Sequence, residues 1–129
     1  MVAFTILGEC ASKANSRQLV TIGGRPRFIK SAKARGYVEG VKRQIRGLDP
    51  MLTGPLVVHI TIYYATERPD LDEALILDAL QGLIYKNDRQ IREKHIYREL
   101  DRNNPRADVR VEPMEKMLAL ERMACGRAA

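Results

Sequence analysis

The fold is decided by residues 56–91, which read LVVHITIYYATERPDLDEALILDALQGLIYKNDRQI. Residues 56–64 are mostly β-branched or aromatic and come after the breaker pair Gly54-Pro55, a pattern that predicts a strand. Residues 70–83 are apolar nearly all round, which predicts a short buried helix. A strand and a buried helix in succession need other elements to cover them, so the rest of the chain must supply a shared core.

Further strands and helices are predicted on both sides of this stretch. β-prone runs predict strands at residues 2–7, 91–100 and 107–112, and Gly23-Gly24 between two short apolar runs predicts a hairpin. Ser31 is a candidate N-cap for a helix whose apolar residues recur at 34, 38, 41 and 45. Pro113 is expected to begin a C-terminal helix over residues 113–125. Because strands and helices mix without regular βαβ alternation, we expect an α+β fold with a mixed β-sheet and helices packed on it, in one domain of residues 1–129.

Several classes of protein are disfavoured by composition. The two cysteines, Cys10 and Cys125, lie far apart and in no Cys/His cluster, which argues against a disulfide framework or a zinc site. No apolar run approaches the roughly 20 residues of a membrane span, and the N-terminus lacks a signal-peptide profile. These features predict a cytoplasmic protein with no membrane partner.

The positive charge is concentrated in the N-terminal part of the chain. The formal net charge is +6, and residues 1–49 carry ten Lys or Arg against three acidic residues. Such a one-sided block favours a surface that faces phosphates, although basic patches also occur on surfaces with no nucleic-acid role. The predicted DNA-binding residues, which include two cations beside the acidic motif, are Lys13, Asn15, Arg17, Arg25, Arg27, Lys33, Arg35, Lys42, Arg43, Lys86 and Arg89.

Three aspartates bracket the predicted central helix. Alternate residues of an extended segment point to one side, so Asp70 and Asp72 can both reach one ion, and the chain after the helix is long enough to bring Asp88 back to them. Carboxylates in proximity favour a hard cation such as Mg²⁺, which activates water and stabilises a leaving oxygen in phosphodiester hydrolysis. A structural interpretation is also open, because Asp70-x-x-Glu73 resembles a capping box and Asn87-Asp88 is typical of a turn.

The motifs resemble those of a known family. Residues 68–91 (RPDLDEALILDALQGLIYKNDRQI) resemble the signature of the RusA family of Holliday-junction resolvases. Residues 12–17 (SKANSR) are similar to the family's Ser-Lys-x-Asn-Ser-Arg loop, and residues 53–64 (TGPLVVHITIYY) are similar to its strand before the acidic motif. The resemblance covers most of residues 3–113 and leaves the predicted C-terminal helix outside.

The resemblance implies a function, a cofactor and partners. RusA-like proteins are homodimeric, Mg²⁺-dependent endodeoxyribonucleases, often encoded by prophages, that resolve four-way junctions by paired nicks during DNA recombination and repair. Asp70, Asp72 and Asp88 correspond to the family's catalytic metal-binding aspartates, and Asp78 matches the acid of its Asp-Ala-Leu motif, behind those ligands. The implied cofactor is Mg²⁺, with Mn²⁺ as a substitute, and the implied partners are four-way or branched DNA and a second copy of the chain.

The chain also departs from the family pattern. The family usually has seven residues between Asp-Leu-Asp and Asp-Ala-Leu, where this chain has the five residues 73–77; Glu73 replaces an Asn, and the family's helix Lys has no counterpart. Removing two helical residues rotates the remainder of the helix by about 200° and shortens it by about 3 Å. Besides a junction-resolving nuclease, we therefore consider a weakened relative that binds branched DNA without cleaving it, and a structural dimer whose acids only cap a helix.

Overall fold

The structure, a computed structural model, describes residues 1–13 and 17–114, without the side chains of residues 17–18 and 28–30. Its elements occur at or near most of the predicted positions. In chain order they are β1 (Val2–Leu7), β2 (Arg17–Ile22), β3 (Arg25–Lys30), α1 (Ala32–Gln44), β4 (Leu56–Tyr64), α2 (Ala74–Leu80), a 3₁₀ turn (Asp88–Gln90), β5 (Ile91–Leu100) and β6 (Arg106–Pro113). Neither α1 nor α2 is long and apolar enough to cross a membrane.

Four of the strands form one mixed sheet in the order β1-β6-β4-β5. β6 is antiparallel to both β1 and β4, whereas β5 is parallel to β4. Because β4 and β5 are joined through α2, the sheet contains one βαβ unit, which the sequence analysis did not predict. β2 and β3 form a separate hairpin. The α+β class and the mixed sheet are confirmed.

The core lies between one face of the sheet and the two helices. Alternate residues of β4 face it, and Ile60 and Ile62 are fully buried beside Ile76 and Leu80 of α2 and Val41 of α1. Burying an aliphatic side chain of this size contributes about 2 kcal/mol, so this layer accounts for much of the stability of the fold. The layer also fixes the position of α2 and of the acidic residues that precede it.

The N-terminal helix and hairpin obey the expected local rules. Ser31 caps α1, since its hydroxyl accepts from the backbone N–H of Ala34 at 3.3 Å. Gly23 and Gly24 have φ angles of 58° and 77°, the left-handed conformation that a two-residue hairpin turn requires. Both elements present cations to solvent, as the sequence predicted.

Two expectations about helix ends are wrong. α2 has seven residues: it begins at Ala74 and not at Asp70, and it ends at Leu80 instead of continuing to Leu83, because Gly82 adopts a φ of 87°. The helix is therefore about 10 Å long. At the other end of the chain, Pro113 ends β6 and does not begin a helix; from residue 115 onward, the predicted helix lies outside the described residues.

Candidate active site

The carboxylate of Asp72 joins the segment before α2 to the loop after β1. Its Oδ2 accepts from the Ser12 hydroxyl at 3.0 Å and from the Lys13 backbone N–H at 3.1 Å. Its Oδ1 accepts from the backbone N–H of Ala74 at 3.0 Å, so Asp72 supplies the hydrogen bond that begins α2. The capping box suggested for Asp70 and Glu73 is not formed, and Glu73, at the N-cap position, makes no side-chain cap bond.

The backbone of the acidic segment, which we define as residues 70–73, is held by Tyr64 at the end of β4. The Tyr64 hydroxyl donates to the Asp70 carbonyl at 3.1 Å and accepts from the Asp72 N–H at 3.2 Å. Burial raises the pKa of Tyr64, which keeps the hydroxyl proton available for the first of these bonds. Asp70 and Asp72 therefore both lie in a fixed, non-helical segment immediately before α2, the arrangement that the metal hypothesis assumed, although the predicted helix over residues 70–83 included them.

Cations from distant parts of the chain pair with acids near this segment. Lys13 Nζ lies 2.9 Å from Asp78 Oδ2, so one of the predicted DNA-binding lysines contacts the predicted supporting acid. Lys94 Nζ of β5 lies 2.5 Å from Glu73 Oε1. Lys94 is not among the residues predicted for the site, although on β5 it lies on the same face as Ile96, which packs against the core. Because residues two apart on a strand lie on the same face, the apolar Ile96 could have predicted that Lys94 also faces the helix layer.

Asp88 is carried by a turn that Gln90 holds to the loop before β4. Gln90 Oε1 accepts from the Asn87 N–H at 3.0 Å, and its Nε2 donates to the carbonyls of Leu52 and Gly54, both at 3.1 Å. Asn87 caps the 3₁₀ turn that begins at Asp88. The structure thus gives a physical role to the Gln of the recognised motif: it fixes the backbone that presents Asp88.

The exposed side chain of Asp88 borders a cleft of about 270 Å³ between α2 and β5. Leu77 lines this cleft from the helix, and Arg92 and Lys94 line it from the strand. The pKa of Tyr85 is raised mainly by burial, and the charges of Asp88 and Asp78 raise it further. Asp88 and Asp78 thus both act electrostatically on one buried hydroxyl beneath α2.

A three-ligand metal centre is not assembled in the described part of the chain. Among residues 1–13 and 17–114, no group of three or more His, Cys, Asp or Glu side chains is placed to hold one ion. The carboxylates of Asp70, Asp72 and Asp88 are suitable ligands for Mg²⁺ by chemistry, but their arrangement does not form such a group. Asp72 in addition already accepts three hydrogen bonds.

The predicted DNA-binding residues occupy several surfaces. Lys13 lies beside α2, the backbone of Arg17 lies in β2, and Asn15 lies outside the described residues. The remaining predicted residues are exposed, on the hairpin, on the outer face of α1 or beside Asp88: Arg25, Arg27, Lys33, Arg35, Lys42, Arg43, Lys86 and Arg89. Their exposure is compatible with phosphate binding, and their contact with DNA stays a prediction.

Cys10 lies behind the site as a buried thiol. Its Sγ lies 3.6 Å from the carbonyl oxygens of both Ala11 and Asp72, either of which can accept the single thiol hydrogen. Burial raises its pKa to about 12, and the charge of Asp72 adds to this increase. The thiol is therefore neutral at physiological pH and packs as part of the core.

Comparison with known proteins identifies one family. Residues 9–112, well over half of the chain, match the family model described as Endodeoxyribonuclease RusA. The match includes the loop that contacts Asp72, the acidic segment, α2 and the turn that carries Asp88. A comparison with curated proteins gave no match.

Proposed function

The chain belongs to the RusA family of endodeoxyribonucleases, and on that basis we propose that it is a Mg²⁺-dependent homodimer that resolves four-way and related branched DNA by paired phosphodiester hydrolysis. The family is one of metal-dependent nucleases that act on Holliday-junction DNA. A dimer with two-fold symmetry would place identical sites on the equivalent opposing strands of a four-way junction. Mn²⁺ would substitute for Mg²⁺, and the protein would act in recombination and repair in the cytoplasm, in a prophage setting.

We assign Asp70, Asp72 and Asp88 as the metal ligands and catalytic carboxylates, with Asp78 behind them. The assignment is supported by the family match over residues 9–112, the range that contains all four residues, together with the fixed position of Asp70 and Asp72 before α2. In the described part of the chain, the three carboxylates do not form a ready group for one ion.

The chain's own residues support the assignment by holding and neutralising the acidic segment. The Ser12 and Lys13 contacts fix the direction of the Asp72 carboxylate, and Gln90 fixes the turn of Asp88. Lys94, which pairs with Glu73, lowers the repulsion that clustered carboxylates would exert on a phosphate. This arrangement lets a DNA backbone approach a surface that would otherwise reject it.

A second function is favoured by the same geometry. A relative that binds branched DNA without cleaving it would keep the basic surfaces and could dispense with a three-ligand centre. The ungrouped carboxylates and the three hydrogen bonds to Asp72 favour this alternative. The short α2 favours it as well, because it changes how Asp88 returns toward Asp70 and Asp72.

A nicking assay separates the two functions. A labelled four-way junction and a linear duplex of equal length are incubated with the protein in Mg²⁺, in Mn²⁺ and in EDTA, and binding is measured in parallel without divalent metal. A resolvase gives paired nicks in the junction with either metal, and Asp70→Asn and Asp88→Asn abolish them while binding persists. Junction binding without product in any metal would establish the binding protein, and equal affinity for both DNAs would remove junction recognition. Sedimentation equilibrium tests the homodimer.

A further inference from the structure

The edge strand β5 presents a row of cations toward the helix layer. Side chains along a strand alternate between the two faces of the sheet, so Lys94, Ile96 and Arg98 share one face. A register shift between Leu56 and Val57 interrupts the alternation at Arg92, which lines the same cleft as Lys94. Ile96 packs against the core, which identifies that face as the one covered by α2. The alternate residue His95 faces the other side of the sheet, where its ring stacks on His59 at 4.8 Å between centroids.

Two cations of this row lie close to acidic side chains. Arg92 and Lys94 line the cleft that Asp88 borders. Lys94 also pairs with Glu73, and its side chain remains 51% exposed. We call Arg92, Lys94 and Arg98 the β5 cation row.

Arg98 extends the row to the beginning of the acidic segment. Its guanidinium donates to the Pro69 carbonyl and lies over the Tyr64 ring, 5.4 Å from the centroid. A guanidinium has five donors and an ammonium has three, so these contacts leave Arg98 and Lys94 with capacity for phosphate oxygens. The row thus reaches from the cleft of Asp88 to the residue before Asp70.

The dimensions of the row suit a nucleic-acid backbone. Six residue steps separate Arg92 from Arg98, which is about 20 Å along a strand. Measured along the duplex axis, on which each strand carries one phosphate per about 3.4 Å, that length corresponds to about six base-pair steps. All three cations are exposed, and the strand is at an edge of the sheet, so a long ligand can lie along it.

We propose that the β5 cation row binds backbone phosphates of the DNA strand that lies against the acidic segment. The inference rests on the proposed function and deepens it, because it names the surface that guides this strand. Carboxylates at Asp70, Asp72 and Asp88 repel phosphates, and a row of fixed positive charge directly beside them offsets that repulsion where the strand must approach. The N-terminal basic block predicted from sequence would contact other parts of the junction.

The test measures how junction binding depends on salt. Affinity for a four-way junction is determined in EDTA over a range of NaCl concentrations for the wild type and for Arg92→Gln/Arg98→Gln. The matched control is Arg110→Gln, which removes one exposed cation from β6 on the opposite face of the sheet. Arg92→Lys/Arg98→Lys keeps the charge, and thermal unfolding verifies that every variant is folded.

The slope of log affinity against log salt concentration is negative. Losing two phosphate contacts should make it less steep by about 1.8. With equal affinities at about 1 M salt, this corresponds to about 60-fold weaker binding at about 0.1 M. The Arg110→Gln and the lysine variants should keep the wild-type slope. An unchanged slope in folded Arg92→Gln/Arg98→Gln, or an equal decrease in Arg110→Gln, would overturn this inference alone. A wild-type protein that does not bind junctions would overturn the proposed function and this inference with it.

Discussion

Replacing Asp72 with asparagine should destabilise the fold, whereas the same replacement at Asp70 should not. Both residues are proposed metal ligands, and both changes remove one negative charge. The Asp72 carboxylate, however, accepts hydrogen bonds from Ser12, Lys13 and Ala74, while Asp70 is exposed and uses its backbone carbonyl to bind Tyr64. Comparing the Asp72→Asn and Asp70→Asn variants therefore separates a structural role of the carboxylate from a catalytic role.

The magnitude depends on the acceptors that are lost. In Asp72→Asn the amide oxygen can still accept from the Ala74 N–H, but the amide nitrogen faces the Lys13 N–H and cannot accept from it. Losing a hydrogen bond to a charged acceptor at a half-buried site costs about 2 kcal/mol. For a chain of this length, that corresponds to a decrease of about 7 °C in Tm. Asp70→Asn should change the free energy of unfolding by less than about 0.5 kcal/mol.

Thermal and urea unfolding followed by circular dichroism, at neutral pH and without divalent metal, measure both effects. Cleavage of a labelled junction is assayed in parallel at a temperature where both variants are folded. We expect both variants to lose cleavage and only Asp72→Asn to lose stability. Equal Tm values for the two variants would refute the structural role of Asp72, and a lower Tm for Asp70→Asn would refute the assignment of its contacts to the backbone.

Four further predictions concern buried or positioned groups. The thiol of Cys10 should resist alkylation at mildly alkaline pH, because burial raises its pKa to about 12 and the thiolate is the reactive form; rapid labelling of the native protein, measured on the Cys10 peptide by mass spectrometry, would contradict its burial. The free energy of unfolding, measured in urea, should fall as the pH rises above about 9, because Cys10 and Tyr85 have raised pKa values in the folded state and lose their protons earlier in the unfolded chain; a flat profile would contradict those raised values. Tyr85→Phe removes a 2.6 Å bond to the Leu77 carbonyl and should cost about 1 kcal/mol in denaturant unfolding, and an unchanged midpoint would argue against that bond. Gln90→Ala should slow junction cleavage more than it weakens binding, because Gln90 holds the turn of Asp88, and an equal loss of both in the parallel assays would be inconsistent with this role.

The elements that the sequence predicts well are those with local signals. Residues 56–64 combine β-branched side chains with the preceding breakers, and β4 has these bounds. Ser31 precedes a clear helical period and caps α1. The predicted α2 is too long because Leu83 and Ile84 continue its apolar pattern. In the structure their N–H groups both bond to the Leu80 carbonyl, and the chain turns at Gly82.

The sequence predicted which types of residue would lie at the candidate site, but it did not predict the contacts between them. The order of the acids along the chain indicated the family, and the family match supports that interpretation. The pairs Lys13 with Asp78 and Lys94 with Glu73 join residues that are distant in sequence, and they depend on how α2 packs between the loop and β5. No local pattern encodes such pairs. The grouping of the three carboxylates likewise depends on tertiary geometry, and spacing alone overestimated it.

The position of β5 at the border of the sheet has a consequence for self-association. A border strand exposes unpaired backbone N–H and C=O groups, onto which another chain can add its own strand. Arg92, Lys94 and Arg98 lie along that border, and the approach of a second copy would bring like charges together. The same side chains that are suited to attract a polyanion thus discourage the chain from polymerising, and a variant that loses all three would be exposed to aggregation.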